Sequence, residues 1–151
     1  MANDKTGFTP LEWRPQLAVG HEKIDKDHKR LIELINEVQS LFVTHASMGV
    51  LTLALDALHD YTRDHFAREE SVMRKIDYPH FHKHAQAHET LVRRLNDLTE
   101  KILLAHSQQT SADSLPKENK EALLQLLRDW LIHHVIQEDL KMRDYLLGAA
   151  V

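Results

Sequence analysis

Leu58-His59-Asp60-Tyr61-Thr62-Arg63-Asp64-His65-Phe66-Ala67-Arg68-Glu69-Glu70-Ser71-Val72 reads as a helix whose inward face turns polar halfway along. Leu58, Thr62, His65, Glu69 and Val72 recur at three- and four-residue steps, the spacing that keeps side chains on one face of a helix. The same stripe runs back through Leu55 and Leu51 and on to Ile76, which predicts a helix from roughly Val50 to Ile76. His65 and Glu69 stand one turn apart on that face, a natural two-point grip on a cation.

Three further segments carry stripes of the same period. The first runs roughly from Glu22 to Thr44, with Ile24, His28, Leu31, Ile35, Val38 and Phe42. The third starts near Pro79, a residue favoured in a first helical turn, and carries His84, His88, Leu91, Leu95, Leu98, Ile102 and Ala105. A polar loop, Ser107 to Ser114, separates it from a fourth that starts near Pro116 and carries Leu123, Leu127, Trp130 and His134, with Gly148 as a stop. Short connections between long amphipathic helices predict an all-α, up-down-up-down four-helix bundle over residues 21–148. Residues 1–20 read as an irregular N-terminal arm anchored by Trp13, and the chain, 1–151, as one domain. The 4 glycines and 4 prolines also suit long uninterrupted helices.

Composition narrows the chemistry. There is no cysteine, which excludes disulfides, thiolate metal sites and cysteine nucleophiles. A net charge of -4 argues against a grip on nucleic acid or on an anionic membrane. The polar start, Met1 to Gly7, lacks the apolar core of an export signal, and no apolar run approaches membrane-spanning length. A cytoplasmic location without membrane insertion is therefore the expectation.

The 12 histidines are the unusual feature. In an up-down-up-down bundle, the start of the first and third helices shares an end with the finish of the second and fourth. His28, His84 and His88 lie near helix starts, whereas His65, Glu69 and His134 lie towards helix finishes. At about 1.5 Å rise per residue, all fall within roughly 8–20 Å of the same end. A single histidine on such a stripe is more often a core residue bonded to a carbonyl. Several imidazoles and a carboxylate in one apolar layer are costly without a compensating ion.

The fourth helix offers competing partners. His134 and Glu138 are four apart; His133 with Glu138, and His134 with Asp139, are five apart. The stripe resumes at Met142 and Leu146 in step with Asp139, as though one residue were gained after His134. A π-bulge does this and is common at functional sites. Spacing leans to Asp139 and leaves the other pairs open.

Together these pieces resemble the hemerythrins, in particular their bacterial single-domain members (bacteriohemerythrins). The matching residues are Trp13, Val19-Gly20 and Ile24-Asp25-x-x-His28-Lys29-x-Leu31; His65-Phe66-x-x-Glu69-Glu70-x-x-Met73; Tyr78-Pro79 with His84-x-x-x-His88; and Trp130-Leu131-x-x-His134-x-x-x-x-Asp139. The resemblance covers nearly the whole chain and selects His134 with Asp139. It implies two iron ions bridged by Glu69, Asp139 and a hydroxide or oxide. It places His84, His88 and His134 on one ion and His28 and His65 on the other, which keeps a position free for dioxygen.

The function so implied is reversible dioxygen binding for storage, transport or delivery, rather than enzymatic turnover. Oxygen or redox sensing and a di-iron oxidase are the alternatives. An oxygen-consuming client enzyme is a conceivable partner, and a monomer is expected. Phe66 and Ile132 are candidate walls of the oxygen pocket, with plain core packing as the competing role. Asp25 could orient an imidazole, although a role in the first helical turn fits it better. His21 departs from the family pattern and reads as a surface residue or one just outside the ligand set. His45, His59, His82, His106 and His133 read as solvated.

Overall fold

The computed structural model describes residues 10–44, 46–106 and 117–148. Its helices are α1 (Glu22–Val43), α2 (Met48–Lys75), α3 (Phe81–His106) and α4 (Lys117–Asp129). From α4 the chain continues through a π-helical stretch (Trp130–Glu138), a 3-10 turn (Asp139–Met142) and α5 (Arg143–Gly148). Among the described residues there is no strand. Successive helices pack side by side, and pairs such as His59 with Asn96 and Glu70 with His88 show α2 and α3 running antiparallel. The molecule is the expected all-α, up-down-up-down bundle.

Local chemistry sets the helix ends. The Nδ1 of His21 accepts the Ile24 amide at 3.3 Å, and the Oγ of Ser47 accepts the Val50 amide at 3.2 Å. Each satisfies an amide that a helix start leaves bare. His21 is thus the N-cap of α1 rather than a neighbour of the ligand set. Asp25 accepts the amides of Val19 (2.7 Å) and Gly20 (3.3 Å) and so folds the arm onto the first turn of α1. Gly20 has φ +93°, a conformation glycine adopts without steric cost.

At the end of α2, Asp77 takes φ +53°. Its amide bonds to the Arg74 carbonyl at 3.2 Å, and the Tyr78 amide bonds to the Met73 carbonyl at 2.9 Å. This is a Schellman closure with aspartate in the usual glycine place. The chain is still reversing at Pro79, so α3 starts at Phe81 and not at Pro79 as the proline suggested. The predicted Ser107–Ser114 loop, Pro116 and His45 lie outside the described residues.

Two apolar clusters frame one polar layer. The larger contains Leu31, Ile35, Leu55, Leu58, Phe66, Leu127 and Trp130, with Trp13 of the arm packed against it. The smaller is Val19, Ile24, Met73, Tyr78 and Met142. Ile24 lies one turn before His28, Met73 one turn after Glu69, and Met142 one turn after Asp139. The smaller cluster is therefore a plug over the near end of the layer. Arg143 ties the arm to the fourth helix by donating to the carbonyls of Ala18 and Gln16. No helix among the described residues is long and apolar enough to cross a membrane.

Candidate metal centre

His28, His65, Glu69, His84, His88, His134 and Asp139 are all buried, and the structure brings all seven together. They come from every long helical segment. α1 supplies His28, α2 supplies His65 and Glu69, α3 supplies His84 and His88, and the π-helical stretch supplies His134 just before Asp139. The π-helix is what admits Asp139. Its amide bonds back to the carbonyls of both His134 and Val135. A regular helix would set a five-residue pair about 140° apart; the widened turn restores the shared face.

The seven fall into two overlapping groups. One is Glu69, His84, His88, His134 and Asp139; the other is His28, His65, Glu69 and Asp139. Within each, the donor atoms lie within 4.8 Å of one another. All five imidazoles present Nε2. The Oε1 of Glu69 lies 3.1 Å from His84, 2.9 Å from His88 and 3.8 Å from His134. Its Oε2 lies 3.3 Å from His65 and 3.6 Å from His28. Asp139 divides the same way, with Oδ1 at 2.8 Å from His84 and 3.0 Å from His134, and Oδ2 at 2.9 Å from His28.

Several of these atoms are strained as hydrogen-bonding groups. Among the described residues, His28 Nε2, His65 Nε2, Glu69 Oε2 and both Asp139 oxygens are buried with no properly directed hydrogen bond. The Nε2 atoms of His88 and His134 face each other at 3.0 Å. Lone pairs aimed at one another in a dry layer are costly unless a cation stands among them. A set of imidazole nitrogens and carboxylate oxygens, with no sulfur, suits iron among the transition metals. The residues present fit a metal centre.

Protons do part of that work in the metal-free protein. Burial pushes the imidazoles of His28 and His84 down, but the facing carboxylates of Asp139 and Glu69 outweigh it and lift both to about 9. His134 is likewise opposed by burial and lifted to about 10, chiefly by the charge of Asp139. His65 is raised as well, burial being outweighed by Glu69 and Asp27. Burial favours neutral Glu69, yet the facing histidines hold it well below the usual carboxylate range. Asp139, opposed by burial and by Glu69, is held low by His134 and His28.

Two carboxylates outside the expected ligand set touch it. Asp27 lies 3.1 Å from the Nδ1 of His65, and Glu70 lies 2.7 Å from the Nδ1 of His88. Asp27 was legible in principle: Ile24-x-x-Asp27-x-x-x-Leu31 keeps stripe spacing. Glu70 had the same kind of signal, four residues after Phe66 and three before Met73. Asp25 touches no imidazole and holds the arm instead. Phe66 stacks on His88 with ring centroids 3.8 Å apart and also meets the rings of His65, His134 and Trp130. Ile132's side chain lies outside the described residues. His80, His82 and His133 are exposed, whereas His59 is half-buried and pairs with Asn96.

A cleft of about 780 Å³ between α2 and α3 is floored by Phe66 and His88. A second, of about 430 Å³, runs between α3 and the π-helical stretch and reaches His134.

The family model described as the hemerythrin HHE cation binding domain matches residues 19–146. A bacteriohemerythrin of Stenotrophomonas maltophilia is 29% identical over 131 residues, covering 85% of this chain and 76% of the relative. One from Pseudomonas aeruginosa is 30% identical over the same shares. One from Methylococcus capsulatus is 30% identical over 115 residues, 76% of this chain and 79% of the relative.

Proposed function

This chain belongs to the hemerythrin family, and from that premise we propose that it binds dioxygen reversibly at a non-haem di-iron centre. The observation that carries the reading is the division of both carboxylates. Glu69 and Asp139 each turn one oxygen to the three-histidine group and the other to the two-histidine group. Such a division would suit two neighbouring cations that share both carboxylates.

The donor count then sets the chemistry. With one solvent-derived bridge added, the three-histidine side would offer six ligands and the two-histidine side five, which would leave one position open to a small molecule. A ferrous pair held by these seven side chains would supply the electrons for binding dioxygen and would recover them on its release.

The chain's own residues contribute position and dryness. Val19, Ile24, Met73, Tyr78 and Met142 close the near end against water. Phe66 walls the layer between His65 and His88. Dry, apolar walls slow proton delivery, which favours release of dioxygen over further reduction. The role is binding rather than turnover, for storage, transport or delivery.

The test is iron stoichiometry with an oxygen-cycling spectrum. The anaerobically reduced protein, given oxygen and then placed under vacuum, should cycle its visible spectrum with two irons per chain. Irreversible oxidation with turnover of a co-substrate would replace this reading with an oxidase. His65→Ala should cut iron to one equivalent or less and abolish oxygen uptake. Full iron and uptake in that variant would exclude His65 as a ligand.

A further inference from the structure

Asp27 is fully buried on α1, yet it belongs to neither ligand group. α2 faces it with Tyr61, His65 and Arg68, spaced to lie on one side of that helix. The Arg68 guanidinium donates to both carboxylate oxygens, Nε to Oδ2 at 2.8 Å and Nη2 to Oδ1 at 3.0 Å. The Tyr61 hydroxyl donates to Oδ1 at 2.8 Å, and His65 Nδ1 meets Oδ2 at 3.1 Å. Lys23 stands 3.7 Å from Oδ1 at the solvent side. A carboxylate so clamped is an acceptor only, so the His65 Nδ1 beside it carries a proton and Nε2 is left with its lone pair.

His28, the other imidazole of the same group, has a buried Nδ1 with no hydrogen-bond partner. On the opposite side, the partner of His88 is Glu70, which is 22% exposed and lines the larger cleft. Asp27 is therefore set apart by its burial, where a charged hydrogen bond is felt most strongly.

We infer that Asp27 is a positioning residue that acts through His65: clamped by Arg68 and Tyr61, it fixes the imidazole's tautomer and makes its Nε2 a stronger donor to the centre. The inference rests on the reading of His65 as a ligand. An anionic partner on the far nitrogen raises ligand basicity and favours the more oxidised metal. Arg68 tempers that effect by sharing the charge.

Two substitutions separate this from a packing role. Asp27→Asn keeps an acceptor but removes the charge. It should raise the midpoint potential of the iron-reconstituted chain and weaken metal binding roughly tenfold. Arg68→Gln leaves the carboxylate charge less compensated and should lower the potential. Loss of packing alone would move both variants the same way or neither, and that result overturns the inference.

Should Arg68→Gln fail to fold, nitrogen NMR of the zinc-loaded wild-type chain decides. A His65 Nδ1 that carries an exchange-protected proton supports the assignment; an unprotonated Nδ1 sinks it. Neither readout requires oxygen to bind. A chain that failed to cycle oxygen, yet showed the opposed potentials, would lose the proposed function and keep this inference.

Discussion

At the scale of single residues, the centre is a contest between protons and metal for the same lone pairs. In the metal-free protein, His28, His84 and His134 are lifted from 6.5 to about 9, 9 and 10. A raised imidazole contributes stability that is complete below its unfolded value and is lost as pH climbs through its folded one. Glu69 and Asp139 are depressed from 4.5 and 3.8, so their contribution is present above those values and fades in acid. The chelated protein should thus be most stable between the ordinary carboxylate and imidazole values, about pH 5 to 6.5, and weaken steadily towards pH 10. Thermal melts across that range check the sign; a melting temperature rising from pH 7 to 9 would contradict it. Metal binding should run the other way and release protons.

Phe66 makes a second prediction at this scale. Its ring lies between the 780 Å³ cleft and the imidazoles. Phe66→Leu should leave the iron content unchanged while speeding autoxidation of the oxygenated form severalfold, followed by the decay of its visible band.

The sequence exposed ligands at this scale wherever a polar side chain interrupted an apolar stripe, as at His28, His65, Glu69, His84, His88 and His134. Asp27 shares the stripe spacing, but its clamp was not legible, because Tyr61 and Arg68 arrive from another helix. At His21 the sequence left two roles open, and the place before the first helical turn decided for the helix end over the ligand set.

At the scale of elements, the decisive feature is the π-helical stretch, Trp130–Glu138. The stripe's gain of one residue pointed to it, but spacing could not choose between Glu138 and Asp139, since regular helix geometry favours the four-residue pair. The structure buries Asp139 and leaves Glu138 half-buried at the surface. Inserting an alanine after Gln137, an exposed residue inside the stretch, should leave the widened turn one residue short and swing Asp139 about 100° off the layer. Helix content by circular dichroism should hold while metal falls from two equivalents to one or none. An insertion variant with full metal would show that the register between His134 and Asp139 does not aim the carboxylate. The start of α3 was misread for a related reason: proline marks a place where a helix can begin, but the Schellman closure through Tyr78 sets where the reversal ends.

At the scale of the whole molecule, one layer joins all the long helices. The fold class and the convergence of the layer were legible because helix period and direction set height along a bundle. The walls between helices were not, since the clefts and the Phe66 stack depend on packing details that no single stripe encodes. Removing the metal leaves buried lone pairs facing each other, so chelation should loosen the entire bundle. Metal at about a hundredfold excess over its dissociation constant adds about 2.7 kcal/mol. At this chain length that is on the order of 5–10 °C in melting temperature. Calorimetry with and without chelator measures it, and equal melting temperatures would show that the layer is indifferent to its occupant.

Asp139 is the last of the seven to be synthesised, and it meets His28, the first, at 2.9 Å. A nascent chain therefore cannot assemble the site until its fourth helix has emerged and docked. A chain stalled or frameshifted before Asp139 would lack one of the seven groups and so could not complete the site.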